Sequence, residues 1–229
     1  MKDSPTSRIA TRSPGPGEIA LVLGLPTGLF LASSISWRAR NGPVLFNDRR
    51  VLATLAIEVI LAAFLWPYLA RRGWKPLAVA GAPEPRDILR GVLLWFGIMT
   101  AVYFTVITLY IGAQSFVAPL LRTRPFIGIV SPPVIVAAAL LNAIFEEFLW
   151  LGYAITALST RFGSRMAGAV SILLRVSVHF YQGRLALLAV LPFALVVTWY
   201  FVRTSRIWPV VVAHVIVDAI GLSALKGPA

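Results

Sequence analysis

The chain has 229 residues, 58% hydrophobic and only 13% charged, with a mean hydropathy of +0.81 and no cysteine. A soluble domain carries about 25% charged residues, so an ordinary soluble core is excluded; the missing cysteines exclude a disulfide framework, a thiolate metal site and a cysteine nucleophile. The net charge of +12 comes from 21 basic and 9 acidic residues, nearly all the basic ones lying in short segments between apolar blocks, and no base-stacking or groove-reading element accompanies them, so the charge points to lipid headgroups and not to nucleic acid.

Residues 1–17 are polar and rich in Pro, Gly, Ser and Arg, and read as a disordered cytoplasmic tail. The block 18–36 is long for the apolar region of a signal peptide and lacks a small-x-small cleavage site, so it reads as a first membrane span. Further apolar blocks at 51–69, 88–111, 132–158, 166–183, 185–202 and 207–225 each approach the roughly 20 residues that a bilayer crossing needs. The expected fold is therefore all-α: a polytopic transmembrane bundle of about seven spans, with six to eight as the bounds. Spans in 18–129 form its N-terminal half and those in 130–225 its core. The tightest connection is the turn Tyr181–Arg184. Trp37, Trp66, Trp74 and Trp208 lie near span ends, as interfacial anchors do. Segments on the N-terminal side carry 12 basic residues against 8 on the other, which favours a cytoplasmic N-terminus in a multi-pass protein of a bacterial cytoplasmic membrane.

Charges inside a bilayer cost roughly 2.5–3.5 kcal/mol each on insertion scales and are functional candidates by default. The spans hold Glu58, the adjacent pair Glu146 and Glu147, Arg175, His179, His214 and Asp218; both histidines of the chain are among them. Residues four apart share a helix face, so His214 and Asp218 point the same way, as do Arg175 and His179. Glu146 and Glu147 diverge by about 100°, so one can face the interior while the other bonds a neighbouring helix. Glu58 reads as a packing partner outside the site. Arg175 reads as the neutraliser of a buried acid, Glu147 or Glu58. A carboxylate beside imidazoles can take a proton from water and return it to a leaving group. Two neutral histidines and a carboxylate also suit Zn²⁺ with an open position for water, which makes Glu146, His179 and His214 a candidate metal set.

The stretches Glu146-Glu147-Phe148-Leu149-Trp150-Leu151, Arg175-Val176-Ser177-Val178-His179 and His214-Val215-Ile216-Val217-Asp218 resemble the three motifs of the CPBP intramembrane proteases. That group contains the type II CAAX prenyl endopeptidases and the bacteriocin-processing and self-immunity proteins. The family pattern is Glu-Glu-x-x-x-Arg, Phe-x-x-x-His and His-x-x-x-Asn/Asp, on three successive motif-bearing spans. The resemblance covers about residues 130–222, and it implies a last-four-span bundle around a water-accessible cavity with endopeptidase activity on a membrane-associated protein or peptide. It implies Glu146 as the base that activates water, His179 as its partner, His214 and Asp218 as oxyanion stabilisers or metal ligands, and Glu147 as the residue that orients the site. Two positions depart from the pattern: Leu151 stands where the motif has arginine, and Arg175 where it has phenylalanine. Together they suggest an exchange in which the guanidinium has moved from the fourth span to the fifth and now pairs with Glu147. No sequence feature marks a prenyl-binding pocket, and oligomeric state is not legible. Two other readings stand beside the protease: a catalytically inactive scaffold or immunity protein of the same fold, and a proton-coupled transporter using the Glu/His chain as a relay. The transporter reading is weakened by the absence of an internal repeat.

Overall fold

The computed structural model of the chain describes residues 13–39, 43–122, 126–183 and 186–227. Most of the tail expected at 1–17, and Arg184 of the tight connection, lie outside them. Helix α1 (Pro16–Arg38) begins with proline in its first turn, where a missing N–H loses no intrahelical bond. A four-residue strand β1 (Val44–Asn47) leads into α2 (Asp48–Arg71), capped by the Asn47 side chain, which accepts from the Arg50 N–H at 3.0 Å. The short α3 (Pro76–Ala80) precedes α4 (Pro85–Gly112), and α5 (Gln114–Arg122) precedes β2 (Phe126–Ile129). Helix α6 (Pro132–Glu147) continues through a wide turn at Phe148–Tyr153 into α7 (Ala154–Val178). After a single 3₁₀ turn at Phe180–Gln182 come α8 (Leu191–Thr204) and α9 (Trp208–Ser223).

Among the described residues, four helical runs are long and apolar enough to cross a membrane: Pro16–Arg38, Asp48–Arg71, Pro85–Gly112 and Pro132–Val178; two further apolar helices, Leu188–Thr204 and Trp208–Ser223, are shorter. The run Pro132–Val178 has 47 residues, and as one straight rod it would reach about 70 Å, more than twice the roughly 30 Å hydrocarbon core. Gly163 divides it, with φ 76 and ψ 162. Ser171 hydrogen-bonds the Trp150 carbonyl at 2.5 Å and Arg175 reaches Glu147 at 2.7 Å, so the two arms run antiparallel about that turn. The all-α membrane bundle expected from the sequence is what forms, with large apolar side chains exposed along α2 and α4 (Ile60, Phe64, Leu93, Phe96, Phe104 and Ile111 among them) on surfaces suited to lipid.

The connections hold more structure than expected. Segments read as loops at 38–50 and 112–130 contain β1, α5 and β2. The two strands pair in parallel, Val44 opposite Phe126 through Asn47 opposite Ile129. At Gly128 the backbone has φ 147, and an added Cβ would lie 1.8 Å from the Phe46 carbonyl oxygen, so only glycine fits there. Just beyond, Asp48 accepts from the Ser131 N–H at 2.8 Å. Helices α2 and α6 therefore leave the strand pair side by side and run in the same direction. Their lower contact buries Val51, Leu55, Val130 and Ala138; their upper contact joins Leu61, Leu65 and Leu69 to Phe145, Phe148 and Leu149 in the main core. At the opposite end, Arg206 in the α8–α9 connection binds Asp87 (2.6 Å) and Glu84 (2.7 Å) at the start of α4.

Candidate active site

The two adjacent glutamates of α6 separate as their 100° divergence requires. Glu147 is fully buried; Glu146 is partly exposed, and no side chain among the described residues hydrogen-bonds it. An uncompensated carboxylate in Glu147's position would be strongly destabilising, and the structure compensates it three times. Arg175 of α7, itself 1% exposed, donates two parallel hydrogen bonds, Nη1 to Oε1 and Nη2 to Oε2, each 2.7 Å. His214 of α9 adds a third through Nδ1, 2.6 Å from Oε1. This is the Arg175–Glu147 pair expected from the sequence. It stands with Leu151, also fully buried, four residues after Glu147.

The network continues outward. One turn along α9, Asp218 Oδ1 lies 3.5 Å from His214 Nε2, so both ring nitrogens of His214 face carboxylates. Asp218 Oδ2 accepts from Asn142 Nδ2 at 2.8 Å. The ring of Phe193 in α8 covers the centre, edge to face with His214 at 5.0 Å and beneath the Arg175 guanidinium at 5.2 Å. One chain of contacts, Arg175–Glu147–His214–Asp218–Asn142, thus links three helices. Arg175 also lies within electrostatic reach of Glu146 and Asp218.

His179 stands beside this network and is held differently. It is the first residue beyond α7, with φ −91 and ψ 15. Its Nδ1 is 2.8 Å from the Arg175 carbonyl. A carbonyl only accepts, so Nδ1 carries the proton, and in the neutral ring Nε2 is left as the acceptor. The Tyr181 ring stacks on the imidazole at 6.0 Å and 28°. Glu146 and Asp218 both act electrostatically on Tyr181.

The structure joins Glu147, Arg175, His214 and Asp218 by direct contacts. Glu146 shares α6 with that network but makes no side-chain hydrogen bond to it among the described residues, and His179, just past α7, reaches it at the Arg175 backbone carbonyl. No three His, Asp or Glu side chains among the described residues converge as a metal-binding group; His214 turns Nδ1 to Glu147 and His179 turns Nδ1 to a backbone carbonyl, contacts of the kind that also orient metal-ligating imidazoles. Asn142 was not singled out by the sequence reading, yet the signal was present: an amide inside a span, four residues before Glu146 and hence on its face. Phe193 carried no such signal. Glu58 of α2, read as a packing partner, is 3% exposed, has no hydrogen-bond partner for Oε2 among the described residues, and lies within electrostatic reach of Glu146, Asp218 and His214.

Residues 128–220 match the family model described as Type II CAAX prenyl endopeptidase Rce1-like. The matched segment contains every member of the network and leaves α1, α2 and α4 outside it. No curated protein and no solved structure matches the chain. That segment, less than half of the chain, is similar to this family, and together with the apolar helices the match supports an integral membrane protein.

Proposed function

With an Rce1-like core as the premise, we propose that this chain is an intramembrane endopeptidase that hydrolyses a peptide bond of a membrane-associated protein or peptide. The observation that supports it most is the division of labour between the adjacent glutamates. Glu147 is saturated by Arg175 and His214, whereas Glu146 keeps its carboxylate for chemistry. In this reading Glu146 takes one proton from water while the oxygen attacks the scissile carbonyl carbon. The tetrahedral intermediate collapses with loss of the C–N bond, and the proton on Glu146 passes to the departing nitrogen, leaving a carboxylic acid and an amine, between which the remaining water proton then passes to give carboxylate and ammonium. His179 Nε2 accepts a hydrogen bond from the same water and orients it. His214 has both nitrogens engaged by carboxylates, so its part, with Asp218 and Asn142, is to hold Glu147 and the local positive charge in place.

The inactive-scaffold reading draws on one observation, Leu151 in place of the motif arginine. Arg175 answers it by restoring a guanidinium on Glu147. The test is cleavage of membrane-associated reporter peptides by purified protein in lipid. Glu146→Gln and His179→Gln should each reduce turnover by about 10²-fold or more with helix content unchanged. Cleavage retained by Glu146→Gln would overturn the assignment; a folded, inactive wild type would favour the scaffold.

A further inference from the structure

A residue that anchors the turn after His179 lies outside the family-matched segment. Beyond Val178 the chain makes one 3₁₀ turn, closed by Gln182 N–H to the His179 carbonyl and Gly183 N–H to the Phe180 carbonyl, both 2.9 Å. The Tyr181 N–H finds no acceptor within that turn, as the first donors of a helical turn do not. It donates instead to Ser34 Oγ of α1 at 2.5 Å, across 147 residues of sequence, and Ser34 is 2% exposed. One helical turn further on the same face of α1 is Arg38. Its guanidinium lies 3.5–3.7 Å from where a Cβ on Gly183 would project, and Gly183 has φ 58. Tyr181, fixed at its backbone by Ser34, lays its ring on His179 and meets Phe126 of β2 edge-on at 6.2 Å.

We propose that Ser34 is a positioning residue of the active site: by holding the Tyr181 backbone it sets the plane of the His179 ring, and with it the direction of Nε2. The physical need is plain. His179 is past the helix end, and a single Nδ1–carbonyl bond leaves the ring free to swing about it. The stacked phenol removes that freedom, and it can do so only while its own backbone is fixed. A misdirected acceptor costs rate without costing substrate affinity. The first membrane helix is on this account a structural part of the site.

The kinetic half of the proposal rests on the hydrolase reading; the structural half does not. The chain has two histidines, so full-length protein labelled with ring-¹³C histidine in lipid nanodiscs gives two ring signals, assigned with His179→Gln. Ser34→Ala and Tyr181→Leu should shift and broaden the His179 signal and leave that of His214 in place, whereas Tyr181→Phe, which keeps the stacked ring, should resemble wild type. In peptide cleavage, Ser34→Ala should lower kcat about tenfold or more with KM within about twofold. An unmoved His179 signal in Ser34→Ala overturns the proposal. So does a moved signal with unchanged kcat, because the anchor would then not serve the reaction. If wild-type protein cleaves nothing, the hydrolase reading fails, and the ring signals alone decide whether Ser34 orients His179.

Discussion

Removing the Arg175 guanidinium is the sharpest test of how the centre is held. Arg175→Met keeps volume and helix propensity but deletes two 2.7 Å charge-assisted bonds to a carboxylate that is 0% exposed. Breaking a buried ion pair from one side costs about 3–5 kcal/mol, because the surviving charge keeps its desolvation penalty. His214 still binds Glu147 Oε1, which argues for the lower half of that range. At about 2–4 °C per kcal/mol for a chain of this size, the melting temperature should fall by roughly 6–16 °C. Glu147→Met in the same background removes the stranded charge, so the double variant should recover at least half of the loss, a non-additivity that a double-mutant cycle reads directly. The exchange of guanidinium between helices gives a second cycle. Leu151→Arg alone puts a second cation into a fully buried position near Arg175 and should destabilise. In an Arg175→Phe background it supplies the missing partner of Glu147 and should stabilise. Thermal unfolding in one detergent, followed by tryptophan fluorescence, measures all of these. If Arg175→Met melts within about 2 °C of wild type, or if Leu151→Arg is equally harmful in both backgrounds, the guanidinium is not what compensates Glu147 and the argument for an exchange falls.

Two further outcomes follow from single contacts. Asn142→Ala strips one hydrogen bond from Asp218 and should cost about 1 kcal/mol, while Asn142→Asp sets a second carboxylate within 3 Å of Asp218 and should cost more and depress cleavage further; equal stability of the Asn and Asp forms would show that the amide does not serve Asp218. Gly128→Ala drives a methyl into the Phe46 carbonyl at 1.8 Å in a backbone conformation closed to L side chains, so it should cost about 2–3 kcal/mol, and proteolysis should become easier near 43–47 and 126–131; a melting temperature within 1 °C of wild type would mean that the strand pair contributes nothing.

Much of this was legible in the sequence because hydropathy and charge act locally. A run such as 132–158 declares a span without any partner, and a charged residue inside such a run declares an interior site. Arg175 was legible for a second reason: it breaks a pattern at the same time as Leu151 does, and paired breaks suggest compensation. What was not legible depends on long-range register. Strands β1 and β2 are four residues each, too short to show a period, and they pair across about 80 positions. Ser34 and Tyr181 carry no charge, so nothing in their local composition marks a contact between a first helix and the end of the fifth apolar block. The candidate zinc set illustrates the converse limit. Ligand-type residues on neighbouring spans do not reveal which way their nitrogens turn, and here hydrogen bonds to Glu147 and to a backbone carbonyl settle that orientation.

Glu58 shows how that long-range register reaches the site. Ladder partners in β1 and β2 are 82 residues apart, and Asp48 meets Ser131 at a separation of 83. Helices α2 and α6 then rise together at about 1.5 Å per residue, so the same offset brings Glu58 level with Leu140 and Leu141, about one and a half turns from Glu146. Shifting the pairing by a single residue would turn Glu58 by about 100° relative to α6 and carry it off that face. The strand pair, the Asp48–Ser131 bond and the obligatory Gly128 are therefore what deliver a fourth acid to the neighbourhood of Glu146, Asp218 and His214. All of α2 lies outside the family-matched segment, as does Ser34. A fragment limited to residues 128–220 would keep every motif residue and lose the elements that set their depth and direction, while baring the face of α6 that packs on Leu61 and Leu65. The geometry of the site is accordingly a property of both halves of the bundle, although the chemistry is written in one.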